Sequence, residues 1–439
     1  MTLNSKIIAL QLPCCNITNN IIVGYSGGID SHVLLHLLAQ TSELHSKMTA
    51  VYIDHGLQTC AGDWATHCQR AAQALAIKFK VIKVNAVAAQ GESPEEAARN
   101  ARYQAFKDML RQDDVLLFAQ HRNDQLETVL LQLFRGAGLK GLAGMPANIA
   151  FGAGELCRPL LDVTQTEIQQ YAQDHGLQWV EDPSNADTHF DRNYLRNDII
   201  PLIQQRWPSV DKTVARVAGH CAEAQMLLST SAIEKMLLIF DKSEQCLSIE
   251  GLLKYDEITQ QWILREWLQY MGARMPTQKV MSAILSGVIN AQPDANPVVL
   301  HGAHEIRRYR DGLYVLHQHN KPDLQQSIAW PKVAQSLLLP NNGILALKET
   351  EQGIAKKLWL QADVQIKYRQ GGEKIALPKR VGRHSLKKLY QEAHIAPWRR
   401  EQVPLVYIDG CLAAIAGFWL SADYYVDNEA CVSLEWQPE

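Results

Sequence analysis

The sequence predicts an α/β protein. A doubly wound, mostly parallel sheet domain is expected over residues 1–210, a mostly helical domain over 211–320, and a small α+β domain over 356–439. Three observations carry this expectation. Short β-type runs alternate with helical runs through the first half, which is the pattern of crossover units in a parallel sheet. That alternation stops around Trp207-Pro208, and residues 211–272 then show helical periodicity with few turn signals. At 439 residues the chain also exceeds the size at which one hydrophobic core keeps growing, so two or three domains are expected.

The first strand is Ile21-Ile22-Val23, and a helical run with Val33, Leu34, Leu35, Leu37 and Leu38 follows it. Between them lies Y-S-G-G-I-D-S, residues 25–31. A strand that turns sharply into a helix leaves backbone N–H groups unpaired, and consecutive glycines let that backbone approach an anion closely. Ser26, Gly27, Gly28, Ile29, Asp30 and Ser31 therefore form a candidate phosphate cradle, with hydroxyl donors at Ser26 and Ser31 and a carboxylate at Asp30 able to hold magnesium. A plain turn is the competing reading, and the flanking strand and helix weigh against it. The string G-x-x-x-x-G-K-[ST] is absent, which argues against Walker-type γ-phosphate chemistry.

A second strand, Ala50 to Ile53, ends at Asp54-His55-Gly56. Ligands gather at the C-terminal edge of open parallel sheets, so Asp54 and His55 are expected in the same crevice, with a surface turn as the alternative. A helix over 63–75, a strand over 79–82 and a helix from Ser93 to Leu110 continue the alternation. The last of these opens with a Ser N-cap, Pro94 and early acids. Its Arg99 and Arg102 share a face, where they can grip phosphate or form a solvated salt-bridging surface.

The strand Val115 to Ala119 runs into Gln120-His121-Arg122-Asn123-Asp124-Gln125-Leu126-Glu127-Thr128 and an apolar helix. Asp124 and Glu127 lie one turn apart. Paired carboxylates there can hold magnesium or orient and deprotonate an amine, although acids in a first helical turn also decorate the helix dipole. The glycine-rich stretch Phe134-Arg135-Gly136-Ala137-Gly138-Leu139-Lys140-Gly141-Leu142 lacks apolar periodicity and is expected to be a mobile closing loop.

Net charge is −3, so nucleic-acid binding requires local patches. One is expected among Lys379, Arg380, Arg383, Lys387, Lys388, Arg399 and Arg400, interleaved with Tyr390 and Trp398. The nine cysteines, at 14, 15, 60, 68, 157, 221, 246, 411 and 431, contain no C-x-x-C pair, which favours reduced thiols over zinc, clusters or redox dithiols. The apolar stretch Ile7 to Leu12 is interrupted by Gln11, and no run approaches the roughly 20 residues that span a bilayer. A cytoplasmic enzyme without membrane contact is expected.

The string at 25–31 resembles the signature of the ATP pyrophosphatase superfamily, and implies an adenine nucleotide alpha hydrolase-like domain that splits ATP to AMP and pyrophosphate. H-x-x-D-Q-x-E-T from His121, followed by R-G-A-G-L-K-G-L, is similar to the tRNA(Ile)-lysidine synthetase family. Arg158-Pro159-Leu160-Leu161, Glu181-Asp182-Pro183-Ser184-Asn185 and Arg192-Asn193-Tyr194-Leu195-Arg196 match later family strings in order. The resemblance implies ligation of free L-lysine to the wobble cytidine of a CAU-anticodon isoleucine tRNA, with ATP and Mg2+. By the same resemblance Asp30, Arg99, Arg102, Asp124, Glu127, Arg192 and Arg196 do the chemistry. Ser26 to Ser31, Asp54, His55, His121, Arg135 and Gly136 hold the nucleotide, and Asp30 holds the metal. Many members carry histidine where this chain has Gln120. A base thiolase on the same fold and a nucleotide sensor without chemistry are the rival readings. The oligomeric state is open, with a homodimer among the options.

Overall fold

The computed structural model describes residues 3, 20–56, 61–87, 94–292, 295, 297–318, 323–427 and 429–438. The expected Ser93 cap, the stretch Ile7 to Leu12, and Cys14, Cys15 and Cys60 lie outside the described residues. The chain divides into two compact units, Met1–Leu228 and Ser229–Glu439.

The first unit is built on six strands, β1 (Ile21–Gly24), β2 (Met48–Asp54), β3 (Lys78–Lys83), β4 (Val115–Leu117), β5 (Asn148–Phe151) and β6 (Gly154–Cys157). They form one sheet of order β3-β2-β1-β4-β6-β5. All neighbours run parallel except the β5–β6 hairpin at the edge. The sequence reading does not anticipate that hairpin. Two residues, Gly152-Ala153, join its strands, and Gly152 has φ +61°, as tight hairpin turns require.

Alternation along each strand decides which face a side chain enters. Ile21 and Val23 pack into one core with Leu34, Leu35, Leu37 and Leu38 of α1 (Ile29–Ala39), Cys68 and Ala72 of α2 (Ala61–Ala74), and Ile168 and Tyr171 of α5 (Gln165–Asp174). Ile22 points the other way, into a core with Phe106 of α3 (Pro94–Met109), Leu116 and Leu156. The sheet is thus covered on both faces, as the alternating pattern predicts. Each fully buried leucine of α1 contributes roughly 1.5–3 kcal/mol, which fixes the helix whose start carries the cradle.

The chain builds β1, β2 and β3 outward on one side and then returns to add β4 on the other flank of β1. The C-terminal ends of β1 and β4 therefore meet at a topological switch point, where open sheets bind ligands. Helix α4 (Arg122–Phe134) follows β4. The stretch expected as a mobile loop after it contains a helical turn, Leu139–Leu142, because Gly138 and Leu139 carbonyls accept from the following backbone N–H groups. Residues 191–206 form a helical run with a π-helical turn at Leu195–Ile199.

Helix α6 (Val210–Ile239) spans the division between the units. In the second unit, β9 (Val298–His301), β10 (His304–Tyr309) and β11 (Gly312–His317) are joined by the short β7 (Phe240–Asp241) and β8 (Cys246–Ser248). Helices α7 (Glu257–Tyr270) and α8 (Gln278–Ala283) pack on the resulting antiparallel sheet, of order β7-β8-β11-β10-β9, around Leu247, Ile263, Trp267 and Leu313. Arg308 is half-buried and donates to the Ile289 and Ala291 carbonyls at 2.7 Å. Among the described residues the unit also holds two further five-stranded antiparallel sheets and one two-stranded sheet. They draw in strands from 328 to 355, upstream of the start expected at 356. Among the described residues no helix is long and apolar enough to cross a membrane.

Candidate active site

A cleft of about 470 Å3 opens at the switch point. Ser26, Gly28, Asp30 and Ser31 form its floor from the β1 side. Gln120 and Asp124 enter from the β4 side, Arg102 from α3, His55 from the end of β2, and Arg192 and Arg196 from the helical run.

The cradle is held by its own serines. Ser31 Oγ accepts from the Ser26 backbone N–H at 3.2 Å and donates to the Gly28 carbonyl at 3.0 Å, and the two hydroxyls meet at 3.2 Å. Gly28 caps α1 without any side-chain hydrogen bond. The first N–H groups of an eleven-residue helix are therefore left for a ligand, at the positive end of its dipole. Gly27 has φ +83°, and a Cβ there would lie 2.7 Å from Cys68 Sγ. Beneath the loop, Tyr25 and His32 bracket it with a hydrogen bond of 3.1 Å, and burial lowers the His32 pKa to about 4. The Gly27 carbonyl accepts from the Val180 N–H at 2.9 Å, which brings the 181–185 string to the cleft.

Asp30 Oδ1 is shielded from solvent and has no hydrogen-bond partner. Burial raises the carboxyl above its ordinary pKa. The His121 ring and Arg196 oppose that shift, and Asp124 and Glu127 add to it. His121 Nδ1 accepts from the Asn123 N–H. Its Nε2 stands 3.6 Å from both Asp30 Oδ1 and Asp124 Oδ2.

Asp124 and Glu127 meet a pair of arginines from the helical run. Arg192 donates to Glu127 Oε2 at 2.7 Å and to Asp124 Oδ1 at 3.3 Å. Arg196 donates to Glu127 Oε1 at 2.6 Å, Glu127 Oε2 at 2.9 Å and Asp124 Oδ1 at 3.1 Å. Burial alone would lower the Arg196 pKa, but the Glu127 hydrogen bond and the surrounding carboxylates outweigh it and hold the guanidinium charged. Asn193 and Asn197 donate to the Ser184, Asp187 and Asn185 carbonyls, so the same run also pins the loop over 182–187.

The structure brings together Ser26, Gly28, Asp30, Ser31, His55, Arg102, Asp124, Arg192 and Arg196, and sets others apart. Glu127 is 1% exposed and sits behind the arginines, off the cleft wall. His121, also 1% exposed, caps α4 and does not line the cleft. Gly27 is buried, and Ile29 packs toward the core. Asp54 accepts from the Gly56 N–H and closes its own turn. Arg99 is exposed and lies over the Tyr103 ring at 5.3 Å. Arg135, 3.9 Å from Asp191, and Gly136 lie off the wall. Tyr103, Phe106, Phe118, Tyr52 and Trp64 line the cleft without having been singled out by sequence reasoning. The i, i+3 pair Tyr103 and Phe106, beside Arg102 on α3, was the available signal. Among the described residues, no group of three or more His, Cys, Asp or Glu could hold a metal.

In the second unit the expected basic surface is partly self-paired: Arg380 with Glu392 at 2.9 Å, Arg383 with Asp423 at 3.1 Å and Arg399 with Glu244 at 3.0 Å. Tyr390 is 0% exposed, packed with Leu386 and Ile395, and cannot stack on a base.

An uncapped helix start behind a serine-glycine loop, at the switch point of a parallel sheet, defines a nucleotide-binding α/β domain of the PP-loop class. Residues 2–203 match the family described as PP-loop domain, residues 247–314 the TilS substrate binding domain and residues 364–436 the TilS substrate C-terminal domain. The chain is 40% identical over 416 residues to the tRNA(Ile)-lysidine synthase of Coxiella burnetii, covering 94% of this chain and 91% of that one. It is 38% identical over 422 residues to that of Methylococcus capsulatus (95% and 96%) and 39% over 413 residues to that of Legionella pneumophila strain Lens (93% and 93%). The chain belongs to the tRNA(Ile)-lysidine synthase family.

Proposed function

We propose that this chain joins free L-lysine to the wobble cytidine of a CAU-anticodon isoleucine tRNA, splitting ATP to AMP and pyrophosphate. The observation that carries the reading is the meeting of an uncapped phosphate loop with an arginine-paired carboxylate cluster, in a chain about 40% identical to lysidine synthases along nearly its whole length.

A cytosine carbonyl oxygen leaves poorly. In this reading that oxygen attacks the α-phosphorus of ATP, pyrophosphate departs, and the base carries an adenylate. The lysine ε-amine then forms the C–N bond, and AMP leaves with the original oxygen. The helix-start N–H groups and Ser26 bind the phosphates. Arg192 and Arg196 are placed to meet charge that develops during transfer.

Asp30 Oδ1, shielded from solvent and without a hydrogen bond, fits a magnesium ion, which binds through one or two carboxylates plus substrate phosphates. The ion would neutralise phosphate charge there. Lysine arrives as an ammonium with a pKa of about 10.4, so a carboxylate must bind it and help remove its proton. In this reading Asp124, which lines the cleft, takes the lysine ammonium, and Glu127, which does not, supports the arginines.

Labelled lysine, ATP, magnesium and a CAU-anticodon isoleucine tRNA transcript test the proposal, with a wobble-uridine transcript as control. Cytidine-dependent incorporation is expected. Pyrophosphate release without lysine transfer would keep the adenylating site and assign another nucleophile. A homodimer belongs to the same proposal, and sedimentation of the full chain checks it.

A further inference from the structure

We infer that Gln120 is a fixed, uncharged hydrogen-bond donor to a phosphoryl oxygen of the bound nucleotide, oriented by Arg158. The inference rests on the ATP reading above. Strands β1 and β4 run in parallel with Val23 opposite Leu117. Three residues beyond that pair the chain reaches Ser26 on one strand and Gln120 on the other, and both line the cleft. Register therefore sets Gln120 level with the first serine of the phosphate loop.

The direction of the amide follows from its partner. Arg158 is 7% exposed, its Nη1 donates to the Pro146 carbonyl at 2.7 Å, and its Nε donates to Gln120. An arginine side chain only donates, so the Gln120 atom facing it must be Oε1. The NH2 group is then turned away from Arg158. Among the described residues that NH2 meets no acceptor. The nearby carboxylate of Asp124 is engaged by Arg192, Arg196 and the His121 N–H. A pair of N–H donors is left on the wall of a cleft whose floor is a phosphate cradle. Unlike an imidazole, an amide does not titrate, so this donor is present at every working pH.

The bland alternative is that Gln120 exists only to satisfy Arg158. Two substitutions in the full chain, Gln120→Glu and Gln120→Met, separate these roles. Glutamate keeps an acceptor for Arg158 and offers no donor, and methionine keeps the length and offers neither. The readouts are calorimetric affinity for ATP and for adenosine without tRNA, together with thermal unfolding. One hydrogen bond to a charged acceptor sets the scale at roughly tenfold in affinity.

The expected result is that Gln120→Glu unfolds at or above the wild-type temperature, while both variants bind ATP about tenfold or more weakly and bind adenosine as the wild type does. Wild-type ATP affinity in either variant would overturn the inference. So would equal weakening toward adenosine, which marks a change of cleft shape. A wild-type chain that binds no ATP would instead sink the nucleotide reading itself.

Discussion

Glu127→Gln tests whether the buried carboxylate organises the arginine pair. In the wild type, two guanidiniums place hydrogen bonds of 2.6, 2.7 and 2.9 Å on Glu127. Glutamine keeps one neutral acceptor and turns an NH2 group against an arginine N–H. Breaking a buried ion pair from one side costs about 3–5 kcal/mol. Arg192 and Arg196 remain 24% and 31% exposed and can turn partly toward water, so the lower end, about 3 kcal/mol, is expected. That is a large share of a typical stability of about 5–15 kcal/mol. Urea unfolding of the full chain reads this loss. With the arginines no longer aimed, single-turnover lysine incorporation should fall roughly 100-fold, the scale of losing one preorganised charge-stabilising donor. ATP binding at the helix start should change little. A variant that unfolds at the wild-type urea concentration and transfers lysine at the wild-type rate would refute the reasoning, because the network would then be surface decoration.

Three further outcomes are expected. Burial holds the Asp30 carboxyl above its ordinary pKa, so the folded state binds that proton more tightly than the unfolded chain, and stability falls as pH rises from the ordinary value through the folded one. Asp30→Asn should therefore resist urea better than wild type at pH 7 while releasing no pyrophosphate, with the stability gain vanishing in acid; equal stability at pH 7 would contradict this. His32 has its pKa lowered to about 4, so its stability contribution is intact above 6.5 and is lost as pH falls from 6.5 to 4, by at most roughly 3 kcal/mol. In His32→Gln the slope of unfolding free energy against pH should flatten across that window, and an unchanged slope would show that the ring is not the titrating group. Gly27→Ala should weaken ATP binding through both a strained φ and the Cys68 contact; adding Cys68→Ala should restore only part of it, and full restoration would remove the backbone from the explanation.

The phosphate loop was legible because its chemistry is contiguous: strand, glycines, serines, acid and helix fall within about a dozen residues. The same holds for the carboxylates one turn apart on α4. Their saturation by Arg192 and Arg196 was not legible, since those partners lie 65 to 72 positions away and only packing brings them in. Spacing sets Glu127 one turn from Asp124, but nothing local marks its burial behind the arginines. Burial likewise removes Tyr390 from the basic surface, where its apolar neighbours at helical spacing claim it for the core. The Arg158–Gln120 contact crosses 38 residues and had no local signature. Strands as short as β7 and β8 left too few residues for a period to be read.

The arginine–carboxylate cluster gives the resting cleft its own counter-ions. Two guanidiniums stand against the carboxylates of Asp124 and Glu127, and Asp30 beside them adds a further negative charge. An anion that reaches Arg192 or Arg196 gains that guanidinium only by taking it from a carboxylate. A triphosphate is different, because its contacts with the helix start offset the cost of drawing the arginines away. The same exchange would free Asp124 of its arginines, and under the proposed function that would place ATP ahead of lysine in the order of binding.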